Sequence, residues 1–293
     1  MKRLFFLVMS VLLPTMVLAT ASSCKSKTTS ASEPAEGRIV DVDTLVIEQV
    51  KDSLGWDDNS YSAYRVYMSI AYPVSGPLCD VIREYIAEQV LEGNHTTQLL
   101  QKKKGTDFVA YAKDKIYDSM VQERRRNGWA NDNETPASCF TFRVTKLAES
   151  RSFVSLRTRK SYSYFNGSIN GDCSYDYITV SKQDGIFIRK VVNEGYIRDL
   201  QPLLIKGFAQ WSTEDEDYAA ASESEVREYL SMGMWGFVFP EDELIPIDNN
   251  IMTEDGVLFS YKGLNANPTF TIPYEQILPY LTDEALELYQ TAF

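Results

Sequence analysis

Alternating hydrophobic positions predict a long strand followed by two helices in the first half of the chain. Between residues 61 and 72, the apolar positions that would share one strand face are Tyr64, Val66, Met68 and Ile70. We expect this strand to end at Pro73, because proline has no N–H to donate to a ladder. Helical spacing then predicts one helix from Pro77 to Gly93 and a second from about 107 to 126.

Shorter alternating segments predict most of the remaining strands. They are expected at about residues 38–50, 140–144, 153–164, 175–180 and 186–188. Two further helices are expected, one over about 196–211 and one after Ser222, which stands three residues before Glu225 in a capping box.

The segment from Gly233 to Leu281 is predicted to organise the fold, because it alternates three times and closes with a helix. Strands are expected at 235–239, 257–261 and 269–272, and Thr282 or Asp283 would cap a last helix. The predicted order is a group of strands and two helices followed by a second group of strands and two helices. This order indicates an α+β fold. We expect mostly antiparallel sheets with helix pairs on one face, in two sub-domains, 38–149 and 150–293.

Two motifs in this segment resemble the C-terminal module of the RsiV-type family. They are Asp255–Tyr261 (DGVLFSY) and Thr271–Leu281 (TIPYEQILPYL). The family includes extracytoplasmic parts of anti-sigma factors that sense lysozyme, modules appended to peptidoglycan deacetylases, and lipoproteins of unassigned role. The resemblance covers roughly residues 61–281. It implies an extracytoplasmic binding module whose partner is a lysozyme-like protein or a cell-wall glycan.

The chain departs from the family at two loops and at its N-terminus. The loop Lys262–Pro268 lacks the usual tyrosine-centred sequence rich in Pro, Ala and Gly, and Asn166–Asn170 lacks the family's histidine. The anti-sigma factors need a membrane-spanning helix and a cytoplasmic arm. Apart from the N-terminal signal, no stretch of this sequence is long and apolar enough to cross a bilayer, so we do not expect a self-contained transmembrane anti-sigma factor.

The N-terminus is typical of a bacterial lipoprotein. Residues 1–23 combine Lys2 and Arg3 with a short apolar run, and small residues precede Cys24. The pattern predicts lipidation at Cys24, which gives a stable anchor because it adds more than one acyl chain. Residues 24–37 would form a flexible tether, and the protein would lie in the cell envelope, periplasmic or at the outer membrane.

Charge narrows the classes of partner. The formal net charge is −12, and it becomes −14 when Lys2 and Arg3 leave with the signal peptide. Such acidity disfavours nucleic acid and anionic lipid surfaces, and it favours a basic partner. Lysozymes are commonly basic, so the charge agrees with the partner that the resemblance implies.

Cysteine and histidine usage excludes several kinds of chemistry. After lipidation of Cys24, the chain retains Cys79, Cys139 and Cys173, which leaves open either a Cys139–Cys173 disulfide or three unpaired thiols. Their spacing matches no zinc motif. His95 is the one histidine and is expected to be exposed, and no nucleophile elbow or nucleotide-binding glycine loop occurs.

We therefore expect a protein that is not an enzyme and holds no metal or cofactor. The two loops 166–173 and 262–268 are the expected contact regions, through Phe165, Asn166 and Asn267. The alternative interpretation of these loops is ordinary hairpin turns. Alternative functions are a cell-wall hydrolase, since two-carboxylate sites have no local motif, and a structural envelope lipoprotein.

Overall fold

The computed structural model describes residues 45–55, 64–126, 138–164, 173–213, 222–240, 242–263 and 267–293. All of them belong to one of the two units into which the chain divides, Val40–Phe293. The predicted signal peptide, Cys24 and the tether lie outside the described residues.

Six strands form the larger sheet, in chain order. They are β1 Val46–Leu54, β2 Tyr64–Ser75, β3 Ser138–Glu149, β4 Phe153–Tyr164, β5 Cys173–Ser181 and β6 Phe187–Ile188. Neighbouring strands are antiparallel except β2 and β3, which run parallel. The parallel pair requires a long crossover, which the helices between these two strands provide.

The crossover helices cover one face of this sheet. They are α1 Cys79–Leu91, α2 Thr97–Lys102 and α3 Thr106–Arg126, of which the short α2 was not predicted. Apolar residues of α1 and α3 bury themselves against the inward positions of β1 to β5, including Met68, Phe142 and Leu156. Helices on one face of a mostly antiparallel sheet confirm the predicted α+β class.

The C-terminal part adds helices and a smaller sheet. Its elements are α4 Ile197–Thr213, α5 Glu223–Met232, β7 Asn249–Met252, β8 Gly256–Ser260, β9 Thr269–Pro273, α6 Tyr274–Ile277 and α7 Asp283–Ala292. The two predicted caps are observed, because Ser222 accepts from the amide of Glu225 and Thr282 accepts from that of Ala285. The strands β7, β8 and β9 form an antiparallel sheet.

This C-terminal part contacts the other face of the large sheet, at β4 and β5. The amide of Met252 donates to Thr179 Oγ1 (3.2 Å), and the hydroxyl of Tyr177 donates to Ser260 Oγ (2.8 Å). Phe153 belongs to the C-terminal core, whereas Val154 belongs to the core under α1 and α3. Strands β4 and β5 thus lie between two hydrophobic cores.

Three sequence predictions are corrected here. Residues 235–239 form no strand, because Gly233 and Gly236 adopt positive φ, and the rings of Trp235 and Phe237 pack in one aromatic cluster. The third strand of the C-terminal sheet is β7 instead. β2 continues beyond Pro73 to Ser75, with an irregular register that accommodates the proline. The predicted boundary at 149/150 falls between β3 and β4, which pair within one sheet.

The three cysteines of the described residues, Cys79 on α1, Cys139 on β3 and Cys173 on β5, are free. Cys139 on β3 opposes Ser163 on β4, and Cys173 on β5 opposes Ser161 on the same strand β4. A disulfide between Cys139 and Cys173 would have to cross β4, which places two strand spacings, about 9.6 Å, between them. That separation exceeds the reach of a disulfide, which is about 7 Å between Cα atoms.

Candidate functional site

A groove of about 560 Å³ lies between helix α1 and strand β6. We call it the α1–β6 groove, and its lining residues are Asp80, Val81, Glu84, Tyr85, Glu88, Gln89, Phe187 and Arg189. A concave surface with an apolar floor and a few polar groups is typical of a binding site.

The floor of the groove is aromatic and partly exposed. The rings of Tyr85 and Phe187 lie 5.7 Å apart, and Phe187 is 38% exposed. The turn before β6 places Phe187 here: Gly185 has φ +74, and a side chain at that position would contact Val81 at 3.4 Å. A glycine turn thus presents an apolar strand end against α1.

The rim of the groove is acidic because of the helical repeat. Asp80, Glu84 and Glu88 are spaced by four residues, so their exposed carboxylates form one stripe along α1. Arg83 pairs with Asp80 (3.1 Å) but is itself buried, donating to the carbonyls of Pro73 and Val74. The outward face of α1 therefore presents carboxylates to solvent.

His95 lies against this rim and not in the solvent, contrary to the sequence prediction. Its side chain is 6% exposed, and Nε2 lies 2.8 Å from Glu84 Oε1 while Nδ1 lies 3.8 Å from Glu88 Oε2. The imidazole contacts two carboxylates of the stripe. It therefore pairs with Glu84, whereas its Nδ1 lies too far from Glu88 for a hydrogen bond.

A buried hydrogen-bond network fixes the floor to the sheet. The hydroxyl of Tyr85 donates to Asp176 Oδ2 (3.0 Å) and lies 2.9 Å from Thr158 Oγ1. Asp176 also accepts from Arg189 Nη1 (2.6 Å). Burial and the nearby Asp176 carboxylate raise the pKa of Tyr85, so the phenol stays neutral. Tyr85 and Arg189 are thus preorganised by the same carboxylate.

The predicted contact residues are not part of this groove. Phe165 and Asn166 lie outside the described residues, as does Cys24. Asn267 is exposed, and its carbonyl accepts from the hydroxyl of Thr269 (3.3 Å) beside Ser260. The sequence did contain one indication of the groove, the four-residue spacing of acidic residues on α1. It gave no indication that β6 would form the opposite wall.

Two kinds of feature are absent from the described residues, a membrane-spanning helix and a cluster of metal ligands. No helix there combines the length and the apolar character needed to cross a bilayer. In the same ranges, no group of three or more His, Cys, Asp or Glu side chains is placed to hold a metal ion.

The fold is shared with solved structures, although the sequence is not. No family model and no curated protein matches the chain. A DUF3298 family protein from Pseudomonas aeruginosa PAO1 is 11% identical with a TM-score of 0.51, covering 83% of this chain and 97% of its own. A DUF3298 member from Bacteroides fragilis NCTC 9343 is 16% identical with a TM-score of 0.49, covering 84% and 97%. The structural neighbours are DUF3298 family proteins.

Proposed function

We propose that this chain is a lipid-anchored, extracytoplasmic binding module of the RsiV type that captures a basic protein in its α1–β6 groove. The observation that carries the proposal is the acidic stripe of Asp80, Glu84 and Glu88 beside the aromatic floor. A lysozyme-like protein is the partner that the two C-terminal motifs and the net charge of −12 favour.

The rim and the floor would contribute differently to binding. Carboxylates at the edge of an interface attract a basic partner over distance and fix its orientation, so they act mainly on the association rate. The half-exposed ring of Phe187 offers a central apolar contact, which is the kind of residue that carries most binding energy in interfaces. The rigid network around Asp176 lowers the cost of ordering this surface.

Calorimetry with a purified basic lysozyme tests the groove. We expect Glu84→Gln with Glu88→Gln to raise Kd about tenfold, since each lost charge pair contributes up to about 1 kcal/mol. The matched control is Glu123→Gln with Glu228→Gln, which removes the same charge from exposed sites on α3 and α5 and should change Kd less than about twofold.

Phe187→Ala distinguishes the contribution of the floor to binding from that of the rim in the same assay. It should also raise Kd about tenfold, while leaving the salt dependence of Kd as in the wild type. An absence of heat at micromolar lysozyme would rule out the proposed partner. An equal loss of affinity in the rim and control double variants would rule out the proposed site.

The anchor is tested independently of the partner. Cys24→Ala should abolish incorporation of labelled fatty acid and move the protein from the membrane to the soluble fraction of cells, because the acyl chains provide the attachment. Cys79→Ala is the matched control and should leave both readouts unchanged. Membrane retention of the Cys24→Ala protein would contradict lipid anchoring at this residue.

A further inference from the structure

The face of the large sheet opposite α1 and α3, which the C-terminal part contacts at Tyr177 and Thr179, also carries a cluster of arginine and tyrosine side chains. We call it the Tyr–Arg face and define it by Tyr67 on β2, Arg143 on β3, Arg157 and Arg159 on β4, and Tyr175 on β5. The strand register places these residues on one side, because Arg143 opposes Arg159, and Arg159 opposes Tyr175. Arg143 is exposed, and the other four are half-buried.

The arginines of this face are grouped without acidic partners. In the described part of the chain, Arg143, Arg157 and Arg159 form no ion pair, and the described outward positions of β1 to β5 on this face include no Asp or Glu. Such a concentration of positive charge stands out in a chain of net charge −12.

The arrangement costs stability and so calls for an explanation. Like charges placed directly opposite each other on neighbouring strands, as Arg143 and Arg159 are, destabilise a sheet. Within the described residues, the buried Nε of Arg159 also has no hydrogen-bond partner. Features that oppose folding are tolerated mainly at functional sites.

Tyrosine rings hold the guanidinium groups in place on this face. Arg143 lies over the ring of Tyr67 with 5.3 Å from Cζ to the centroid, and Arg159 lies over Tyr175 at 5.8 Å. Tyr175 also stacks with Tyr177, at 6.3 Å between ring centroids. Tyr67 and Tyr175 stand on strands three spacings apart, about 14 Å, with the arginines between them.

We propose that the Tyr–Arg face binds an acidic glycan, a polysaccharide whose sugar units carry carboxylates. The planar guanidinium fork matches a carboxylate with two parallel hydrogen bonds. Tyrosine rings offer flat amphipathic surfaces on which the apolar faces of sugar rings stack. A row of arginines flanked by two tyrosine rings over about 14 Å therefore fits an extended chain of acidic sugars.

Charge density favours this ligand over nucleic acid. A chain of net charge −12 repels a dense polyphosphate, whose binding depends on releasing many counterions to clustered cations. The three arginines of the Tyr–Arg face, with Arg65 of β2 on the same side of the sheet, suit a polymer with one carboxylate per sugar. This proposal does not depend on the α1–β6 groove, which lies against α1, on the opposite face of the sheet.

Binding of an octamer of galacturonic acid by the full extracytoplasmic chain tests the proposal. We expect a measurable Kd by calorimetry, a Kd about tenfold higher for Arg143→Gln with Arg159→Gln, and weaker binding for Tyr175→Ala. The control Arg125→Gln with Arg126→Gln removes the same charge from the exposed end of α3, and its Kd should lie within about twofold of the wild type.

Two comparisons complete the test. The unfolding midpoint of the Arg143→Gln, Arg159→Gln variant should be equal to or above that of the wild type, because the repulsion is relieved. A lower midpoint would show that the arginines are structural, which contradicts the proposal. Failure to bind the octamer at millimolar concentration, equal loss in the control, or tighter binding of a single-stranded oligonucleotide of the same charge would each overturn it.

Discussion

Replacing Trp235 with alanine is expected to lower the free energy of unfolding by about 4 kcal/mol, the largest effect of a single substitution that we predict. Trp235 is fully buried and stacks on Phe208 with 5.5 Å between ring centroids and 7° between planes. Trp211 and Tyr229 meet it edge-on at 5.2 and 6.0 Å. Removing the indole would leave a cavity among three rings that belong to two helices, α4 and α5.

The comparison of Trp235→Ala with Trp235→Phe distinguishes packing from hydrogen bonding. Among the described residues, the indole Nε1 has no hydrogen-bond partner, so phenylalanine loses only volume. We expect a cost of about 1 to 2 kcal/mol for Trp235→Phe in urea-induced unfolding. Equal costs for the two variants would show that the cluster does not stabilise the fold through aromatic packing.

The sequence predicted the elements whose periodicity and caps agree with their tertiary environment. Helix α1 and strand β9 repeat clearly, because each has one buried and one wetter face. Strands β4, β5 and β8 were also predicted, although parts of them are buried on both faces. Thr282 or Asp283 was predicted to cap the last helix, and Thr282 is the cap, since its side chain accepts from the amide of Ala285.

The error at residues 235–239 has a specific physical cause. Trp235, Phe237 and Phe239 alternate, as in a strand, but Gly233 and Gly236 at positive φ turn the backbone so that all three rings join one cluster. Alternation alone cannot distinguish this from a strand, since both bury every second residue. The parallel pairing of β2 and β3 was equally inaccessible, because it depends on a crossover of more than sixty residues.

The candidate sites were largely beyond sequence reasoning for a related reason. The α1–β6 groove joins residues of α1 to Phe187 and Arg189, about a hundred positions later, through a turn and a sheet edge. The residues of the Tyr–Arg face occupy the outward positions of their strands, whereas the strands were predicted from their inward apolar positions. Arg143 and Arg159 become neighbours only once the β3–β4 register is known.

Asn250 shows how one buried polar residue couples the groove to the C-terminal part. Its Oδ1 accepts from the amides of Val191 (2.7 Å) and Val192 (3.0 Å), and its Nδ2 donates to the carbonyl of Asp248 (2.8 Å). Val191 and Val192 lie two and three residues after Arg189, which lines the groove. Asn250 is 2% exposed, so water cannot replace its side chain as a partner.

Replacing Asn250 with leucine, which has a similar shape, is expected to lower the free energy of unfolding by about 3 kcal/mol, because two buried amides lose their acceptor. The same substitution at Asn249 is the matched control. That side chain is half-buried and, among the described residues, donates only to Asp248 Oδ1 (3.2 Å), so we expect a cost below about 1 kcal/mol.

The Asn250→Leu variant also tests whether the groove depends on this connection. Arg189 and Phe187 precede the released amides on the same segment, so their positions should become less well fixed and the Kd for lysozyme should rise about threefold to tenfold at a temperature where the protein stays folded. Urea unfolding and calorimetry on the two leucine variants measure both effects. Equal stabilities for Asn249→Leu and Asn250→Leu would show that the buried amide bonds do not hold the two parts together.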